Sequence, residues 1–482
     1  MHLRRKEIPK LDHILVIDLG TTYFKASVFD SSGRMQALTR IATPSSSNEH
    51  GRSEIDVHVF HDTLTKLVRN LDDELPGILS QISAITFATQ TNSFVLLGEN
   101  DSPLTPIIIW NDARAAEDQT IASTLAGLRG LQPVTGVPEL SSEFMIAKLL
   151  WFREHAPDVF SKSKKLCLIS DYFTLWLTGK HITEAGTAAL TGLLDIHSVR
   201  WWDDALQHFK TDRAWLPEVV RAGTDLGPIL SKRAEDLGLP MKCKFVAGCL
   251  DQYAGAIGVR NVSPGGISET TGTVLATVKC ANAFKADAAS GIFQGPAFAP
   301  GLYYQMVFGD TAGNWLEAYR ESLSDRPSFA QLDNEAAQVE SGCEGLTLSP
   351  GSDATMRETY LADFTQSHSR GHAVRTILET VSFALADQVT LLCNENTPTQ
   401  ISCAGGAARS RLWLQIKADT LNCTMVAGQS AEPTSLGAAI LAMHALSGQS
   451  VQHVAEAWVQ IAHTIVPDET QHQTYTTLRA QA

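Results

Sequence analysis

Apolar and polar positions follow two periods along this chain, and the switches between them mark out strands and helices. Ile14, Leu15, Val16 and Ile17 form a short apolar run with the β-branched bias of a buried strand, and it ends on Asp18. A Gly20-Thr21-Thr22 corner follows, then a second alternating strand and a Ser-Gly turn before Arg34, with Met35 to Thr43 able to add a third strand. The period then becomes helical: Phe60, Leu64, Leu67, Val68 and Leu71 share one face, and Pro76-Gly77 stops the run. A strand over Ile82 to Ala88 leads into a polar-tipped segment, and two apolar helices follow, one around Met145 to Phe152 and one ending at Gly179. The stretch from Gly223 to Pro240 reads as a strand and a helix.

The opening pattern returns about half a chain later. Ile267 to Val278, ISETTGTVLATV, is again strand, Thr-Thr-Gly-Thr corner, strand. Two such hairpins roughly 250 residues apart predict a duplicated α/β unit. Glycine at each corner lets the peptides of Gly20, Thr21 and Thr22, and of Thr271, Gly272 and Thr273, approach a phosphate closely and offer it donors. Asp18, at the mouth of the first corner, is placed to hold a magnesium ion directly or through water.

Other polar residues stand where strands end. Gln90, Asn92, Trp110, Asp112 and Arg114 are the hydrogen-bonding and stacking types that a polyhydroxylated ligand needs. Ile401-Ser-Cys-Ala runs into Gly405, Gly406 and Ala407 and then a helix, a loop against whose bare backbone an adenine ring can lie. Leu436-Gly437-Ala438-Ala439 starts a helix whose small residues allow close packing, and a C-terminal helix from Val454 precedes a polar tail. Asp251 follows the apolar strand Phe245-Val-Ala-Gly-Cys-Leu and precedes the small-residue stretch AGAIG, where the plainest role for an aspartate is a helix cap.

Composition narrows the ligand. The 482 residues are 44% hydrophobic and 19% charged, enough for two sizeable cores. A formal charge of −14 argues against nucleic-acid and anionic-membrane surfaces and for a small ligand; if that ligand carries phosphates, the site must supply local donors and a metal. Eight scattered cysteines without a C-x-x-C pair read as buried thiols of a reducing cytoplasm. The first dozen residues lack the apolar region of a signal peptide, and no apolar run approaches the 18 or so residues of a membrane span.

Taken in order, ILVIDLGTTYFKASVFDSSG, FATQTNSFVLLGENDSPLTPIIIWNDARA, AKLLWFREHAPDVF, LISDYFTLWLTGK, FVAGCLDQYAGAIG, the TTGT hairpin, CAGGAARSRLWLQIKAD and EPTSLGAAILA resemble the FGGY-family carbohydrate kinases, nearest the xylulokinase-like branch. The resemblance implies an α/β, actin-like ATPase fold with two ribonuclease-H-like domains, each on a five-stranded mixed sheet, flanking a cleft. The expected boundaries are 1–243 for an N-terminal domain carrying the sugar site and 244–482 for a C-terminal domain carrying the catalytic aspartate. It implies transfer of the γ-phosphoryl of ATP, with Mg2+, to a hydroxyl of a ketose such as xylulose or a related pentulose. Asp251 would be the general base, and Gly405, Gly406 and Ala407 the adenosine motif. The partners implied are the sugar and ATP, and a homodimer is left open. Where xylulokinase-like members typically carry Q-M-H-G, this chain has Gln90-Thr91-Asn92-Ser93. That departure keeps ribulose, fuculose-like ketoses and glycerol-like polyols in play, with a non-catalytic actin-fold ATPase as the reading from another class. Gly371-His372 and Arg375 to Glu379 match a second family signature only in part, and a structural role is expected for His372.

Overall fold

A computed structural model describes residues 13–47, 51–272, 274–286, 291–348, 368–394 and 398–481. The chain divides into two compact units: Met1–Gly258 with Ala281–Tyr304 and Thr434–Trp458, and Val259–Cys280 with Gln305–Pro433 and Val459–Ala482.

The first unit is built on strands β1 (His13–Leu19), β2 (Tyr23–Asp30), β3 (Met35–Ala42), β4 (Ile82–Thr89), β5 (Asp225–Pro228), β6 (Lys244–Val246) and β7 (Cys249–Leu250). They lie in the order β5-β6-β4-β1-β2-β3, with β7 also on β4. β1, β2 and β3 form an antiparallel meander, while β4 runs parallel to β1 and β6 parallel to β4. Helix α1 (Val57–Glu74) starts where the Asp56 carboxylate accepts from the N–H groups of His58 and Val59. It buries Phe60, Leu64, Leu67, Val68 and Leu71, the face its spacing predicts. A smaller sheet in the same unit, in the order Ser46–Ser47, Ser53–Ile55, Ile107–Ile108, Phe94–Leu97, Lys165–Leu168, frames the polar segment between residues 89 and 115. Helices α2 (Met145–His155) and α3 (Ile169–Thr178) pack beside it, α3 ending at the left-handed Gly179.

The second unit repeats the meander with β8 (Ile267–Thr271), β9 (Leu275–Ala281) and β10 (Tyr303–Gly309), then β11 (Gln400–Ala404), β12 (Thr424–Gly428) and β13 (Ile461–Ile465), in the order β10-β9-β8-β11-β12-β13. β8 pairs antiparallel with β9 and parallel with β11, as β1 does with β2 and β4. Each unit therefore holds the five-strand ribonuclease-H-like arrangement, extended by further strands at the edge.

Three expectations change. The boundary at 243/244 moves to Gly258, because β6 and β7 add to the first sheet through β4 and carry Asp251 with them. The C-terminal helix is two helices, Val451–Trp458 and Glu469–Arg479, separated by β13, which pairs antiparallel with β12. Among the described residues one helix, α5 (Arg370–Cys393), has the length and apolarity to cross a membrane, and two-thirds of its most apolar window is buried inside the protein. It encloses the buried Arg375 and Glu379, whose side chains pair at 2.8 Å, which a core helix tolerates and lipid penalises. All eight cysteines are free and buried.

Candidate active site

The strand register dictates the first corner. Asp18 lies opposite Lys25 across β1 and β2, which brings the lysine Nζ to 3.8 Å from the carboxylate. Asp18 is only 7% exposed. Gly20 is required by space, since a Cβ there would stand 2.8 Å from the carbonyl oxygen of Tyr23. Thr21 and Thr22 are exposed. The Thr21 hydroxyl accepts from the Trp110 indole N–H at 2.9 Å and donates toward Gln90 Oε1 at 3.5 Å.

Asp251 stands in the same unit, at the first turn of α4 (Asp251–Gly258), half-buried, with Oδ1 accepting from the Gln252 N–H at 2.8 Å. Burial and then the nearby negative charge of Asp18 push its carboxyl up from 3.8 to about 7. α4 is held from behind by α7 (Pro433–Ser447), where a Cβ on Gly437 would fall 1.8 Å from the Ala254 carbonyl oxygen. A carboxylate of this basicity beside a second carboxylate is suited to general-base work near neutral pH.

The five residues expected to face a sugar divide into two groups. Gln90 and Trp110 border the Thr21 corner, and Trp110 keeps part of its ring exposed. Asn92, Asp112 and Arg114 are engaged within the loops instead. The Asn92 amide accepts from Met145 N–H and donates to the Leu190 carbonyl, both at 3.0 Å, with its backbone left-handed at φ +61°. Arg114 clasps Asp112 at 2.7 and 3.0 Å and also pairs with Glu54, while its guanidinium lies over the rings of Trp151 and Phe152. Burial raises the Asp112 carboxyl, but Arg114 and the Ser53 N–H outweigh it and hold the group below its ordinary value. Asn92, Asp112 and Arg114, expected to read sugar hydroxyls, each hold internal partners and so brace the loop.

Lys148 carries no role in the sequence reading, although it stands in the AKLLW stretch. It is wholly buried, its Nζ donating to the carbonyls of Trp110 at 2.5 Å and Glu143 at 2.6 Å. Burial, opposed by the charges of Asp112 and Glu143, pushes its ammonium down to about 7. The signal for it was a lysine set among the apolar residues Met145 to Phe152.

In the second unit the Gly272 N–H closes the hairpin onto Val274 O at 3.2 Å, and a Cβ on Gly272 would meet nothing within 4 Å. Thr273 lies outside the described residues. The Thr271 side chain turns inward, 1% exposed, with its hydroxyl held in the core, so any donor this residue offers a phosphate comes from its backbone. Beside the corner lies the glycine turn: Gly405 is left-handed at φ +81°, and a Cβ there would reach 3.0 Å from the Thr271 carbonyl oxygen. Gly406 faces open space, and Ala407 is buried behind it. The sequence reading missed Asn314, whose N–H donates to Gly272 O at 3.1 Å and whose buried side-chain Oδ1 has no partner among the described residues. Its signal was a Gly-Asn pair at a helix start. His372 caps the helix Arg370–Cys393, Nδ1 accepting from Ser369 N–H at 3.1 Å.

Family models for the N-terminal and C-terminal domains of FGGY carbohydrate kinases match residues 13–258 and 267–446. The chain belongs to the FGGY family of carbohydrate kinases. This FGGY chain is 30% identical to the xylulose kinase of Lactococcus lactis over 90% of its length and 87% of the relative's. It is 26% identical to the gluconokinase of Bacillus subtilis, covering 90% and 87% of the two chains. The ligand-bound crystal structure of xylulose kinase from Lactobacillus acidophilus superposes with a TM-score of 0.87 at 25% identity, covering 98% of this chain and 97% of that one. The FGGY match ends its first domain at residue 258, where the first segment of the first unit also ends.

Proposed function

We propose that this carbohydrate kinase phosphorylates a pentulose, transferring the γ-phosphoryl of ATP to one of the sugar's hydroxyls. The observation that carries the mechanism is the pair of carboxylates in the first unit, Asp18 at the end of β1 and Asp251 at the head of α4, the second raised to about 7 by burial and by the first. Asp251 accepts the hydroxyl proton as the oxygen attacks phosphorus. Phosphoryl transfer asks the protein mainly for positioning and charge stabilisation, which the N–H groups at Gly20 to Thr22 provide, while the bare Gly272 corner leaves room for phosphate to approach. Gly405, Gly406 and Ala407 take the adenosine.

A magnesium ion fits this donor set. Asp18 is a hard oxygen ligand only 7% exposed, close enough to a second carboxylate to raise it, and a divalent cation there relieves their repulsion. When bound, the ion neutralises phosphate charge. Trp110, with Gln90 beside it, offers the stacking face and amide that a sugar uses, and Asn92, Asp112, Arg114 and Lys148 hold that face in place. The pentulose assignment draws on the xylulose kinase relatives, and the Trp110 face with Gln90 beside it supports a polyhydroxylated acceptor.

A panel of pentuloses, aldoses, gluconate and glycerol, each with MgATP and coupled detection of ADP, tests the reading. Stimulation greatest with a pentulose is expected. ADP release that no sugar accelerates would overturn it in favour of a non-catalytic ATPase, and a preference for gluconate would move the substrate class.

A further inference from the structure

A charged trio is sealed beneath the second corner. Lys417, on helix α6 (Arg411–Leu421), and Glu269, in the middle of β8, are both 0% exposed and pair at 2.8 Å. The same Nζ donates to Thr271 Oγ1 at 2.8 Å, and that hydroxyl donates to the other carboxylate oxygen, Glu269 Oε2, at 2.6 Å. The lysine also lies 5.1 Å from the centre of the Trp413 ring, whose indole N–H is anchored to the Leu378 carbonyl at 3.1 Å.

Such an arrangement is costly to build. Two desolvated charges in a core are often no more stabilising than apolar residues of like volume, so stability alone does not explain their presence. What the trio does have is direction. It uses both the proton and a lone pair of one hydroxyl, on the residue immediately before Gly272, and so fixes the rotamer and backbone position of Thr271 from a rigid helix. The Thr271 carbonyl in turn lies 3.0 Å from where a Cβ on Gly405 would be, so the position of residue 271 also sets the floor of the glycine turn.

We infer that Lys417, with Glu269, is a positioning residue for nucleotide binding: through the Thr271 hydroxyl it sets the corner at Gly272 and the adjacent Gly405 turn in the geometry that receives ATP. This deepens the kinase reading and rests on it. The lysine touches neither substrate nor reacting atoms. Loss of the trio lets the corner drift, and a misplacement on the 1 Å scale can cost about 10²-fold.

The experiment compares wild type with Thr271→Val, which keeps shape and the ion pair but removes the bridge, and with the charge-neutral double variant Lys417→Met with Glu269→Gln. Calorimetry with a non-hydrolysable ATP analogue and Mg2+, steady-state kinetics in ATP and in sugar, and thermal melting are read together. Expected is a loss of analogue affinity and a rise in KM for ATP of about 10–100-fold in Thr271→Val, with KM for sugar within about twofold. A purely structural trio would lower the melting temperature and leave both constants for ATP unchanged, and that result overturns the inference while sparing the kinase reading. Failure of wild type to bind the analogue overturns both. If the double variant does not fold, Thr271→Val alone decides.

Discussion

The two glycine corners terminate equivalent strands of equivalent sheets, yet they are supported from different sides. At the first, the support comes from neighbouring loops: Trp110 and Gln90 reach the Thr21 hydroxyl, and the Tyr23 carbonyl closes over Gly20 so that no Cβ would fit. At the second, the support comes from within: Lys417 and Glu269 hold Thr271 from the core, and Gly272 looks out on open space. A carboxylate stands at the mouth of the first corner, Asp18, where the second has Thr270. On the proposed reading the duplicated frame carries two tasks, metal and proton chemistry in one unit and nucleotide reception in the other.

The largest expected effect tests the first task. Asp251→Asn keeps the shape and the bond from Gln252 N–H but cannot take a proton, so kcat should fall by about 10²–10⁴ while both substrates still bind. In wild type the activity should rise with pH as Asp251 loses its proton and level off above that step, which bound Mg2+ at Asp18 moves below the metal-free value of about 7. If Asp251 only caps α4, asparagine would serve nearly as well, and near-parent turnover in a folded variant would sink the base assignment.

Substitutions at the two glycines sharpen the contrast directly. Gly272→Val adds a side chain where the protein itself has nothing within 4 Å, so stability should barely change while affinity for an ATP analogue drops about 10–100-fold. Gly20→Val forces the Tyr23 carbonyl aside from 2.8 Å and should cost about 1–3 kcal/mol of folding stability as well as binding. Equal melting temperatures for the pair would erase the difference drawn here.

How much of this was legible in sequence depended on distance along the chain. The hairpins, their glycines and Asp18 declare themselves within a dozen residues, because strand alternation and corner chemistry are local. So does the α1 face. Partners far apart leave no such trace: Lys417 meets Thr271 across 146 positions and Arg114 meets Glu54 across 60. For the same reason the polar cluster at 90–114 read as ligand chemistry throughout, although Asp112 and Arg114 spend their hydrogen bonds on each other and on Glu54. The boundary was misplaced because β6 is only three residues long, and nothing local says that it joins the sheet begun by β1.

Asn92 turns that lesson into a measurement of intermediate size. Its two bonds satisfy a buried N–H at Met145 and a buried carbonyl at Leu190, so Asn92→Ala should destabilise the first unit by about 1–3 kcal/mol, read as a lower denaturant midpoint. The ranking of sugars should stay as it is. An unchanged midpoint with a changed ranking would return Asn92 to the sugar site.

The smallest effect is on stability, and its sign is the informative part. The Asp251 carboxyl titrates at about 7 in the folded chain and at 3.8 in its ordinary state. Between those values the folded protein holds a proton that the unfolded chain has released, so stability falls as pH rises through that window. Glu184 and Asp171, raised by burial to about 7 and about 8, act in the same direction in parent and variant alike. Asp251→Asn removes only its own share. The variant should therefore melt higher than its parent at pH 8, by a few °C or less, and the gap should close as pH falls toward 4. The first unit would then carry a stability cost that exists for the sake of a basic carboxylate, with no counterpart at the Thr270 position of the second. A gap of the same size at pH 4 and pH 8 would show instead that the gain comes from the amide's hydrogen bonds and that neither burial nor Asp18 strains the Asp251 carboxylate.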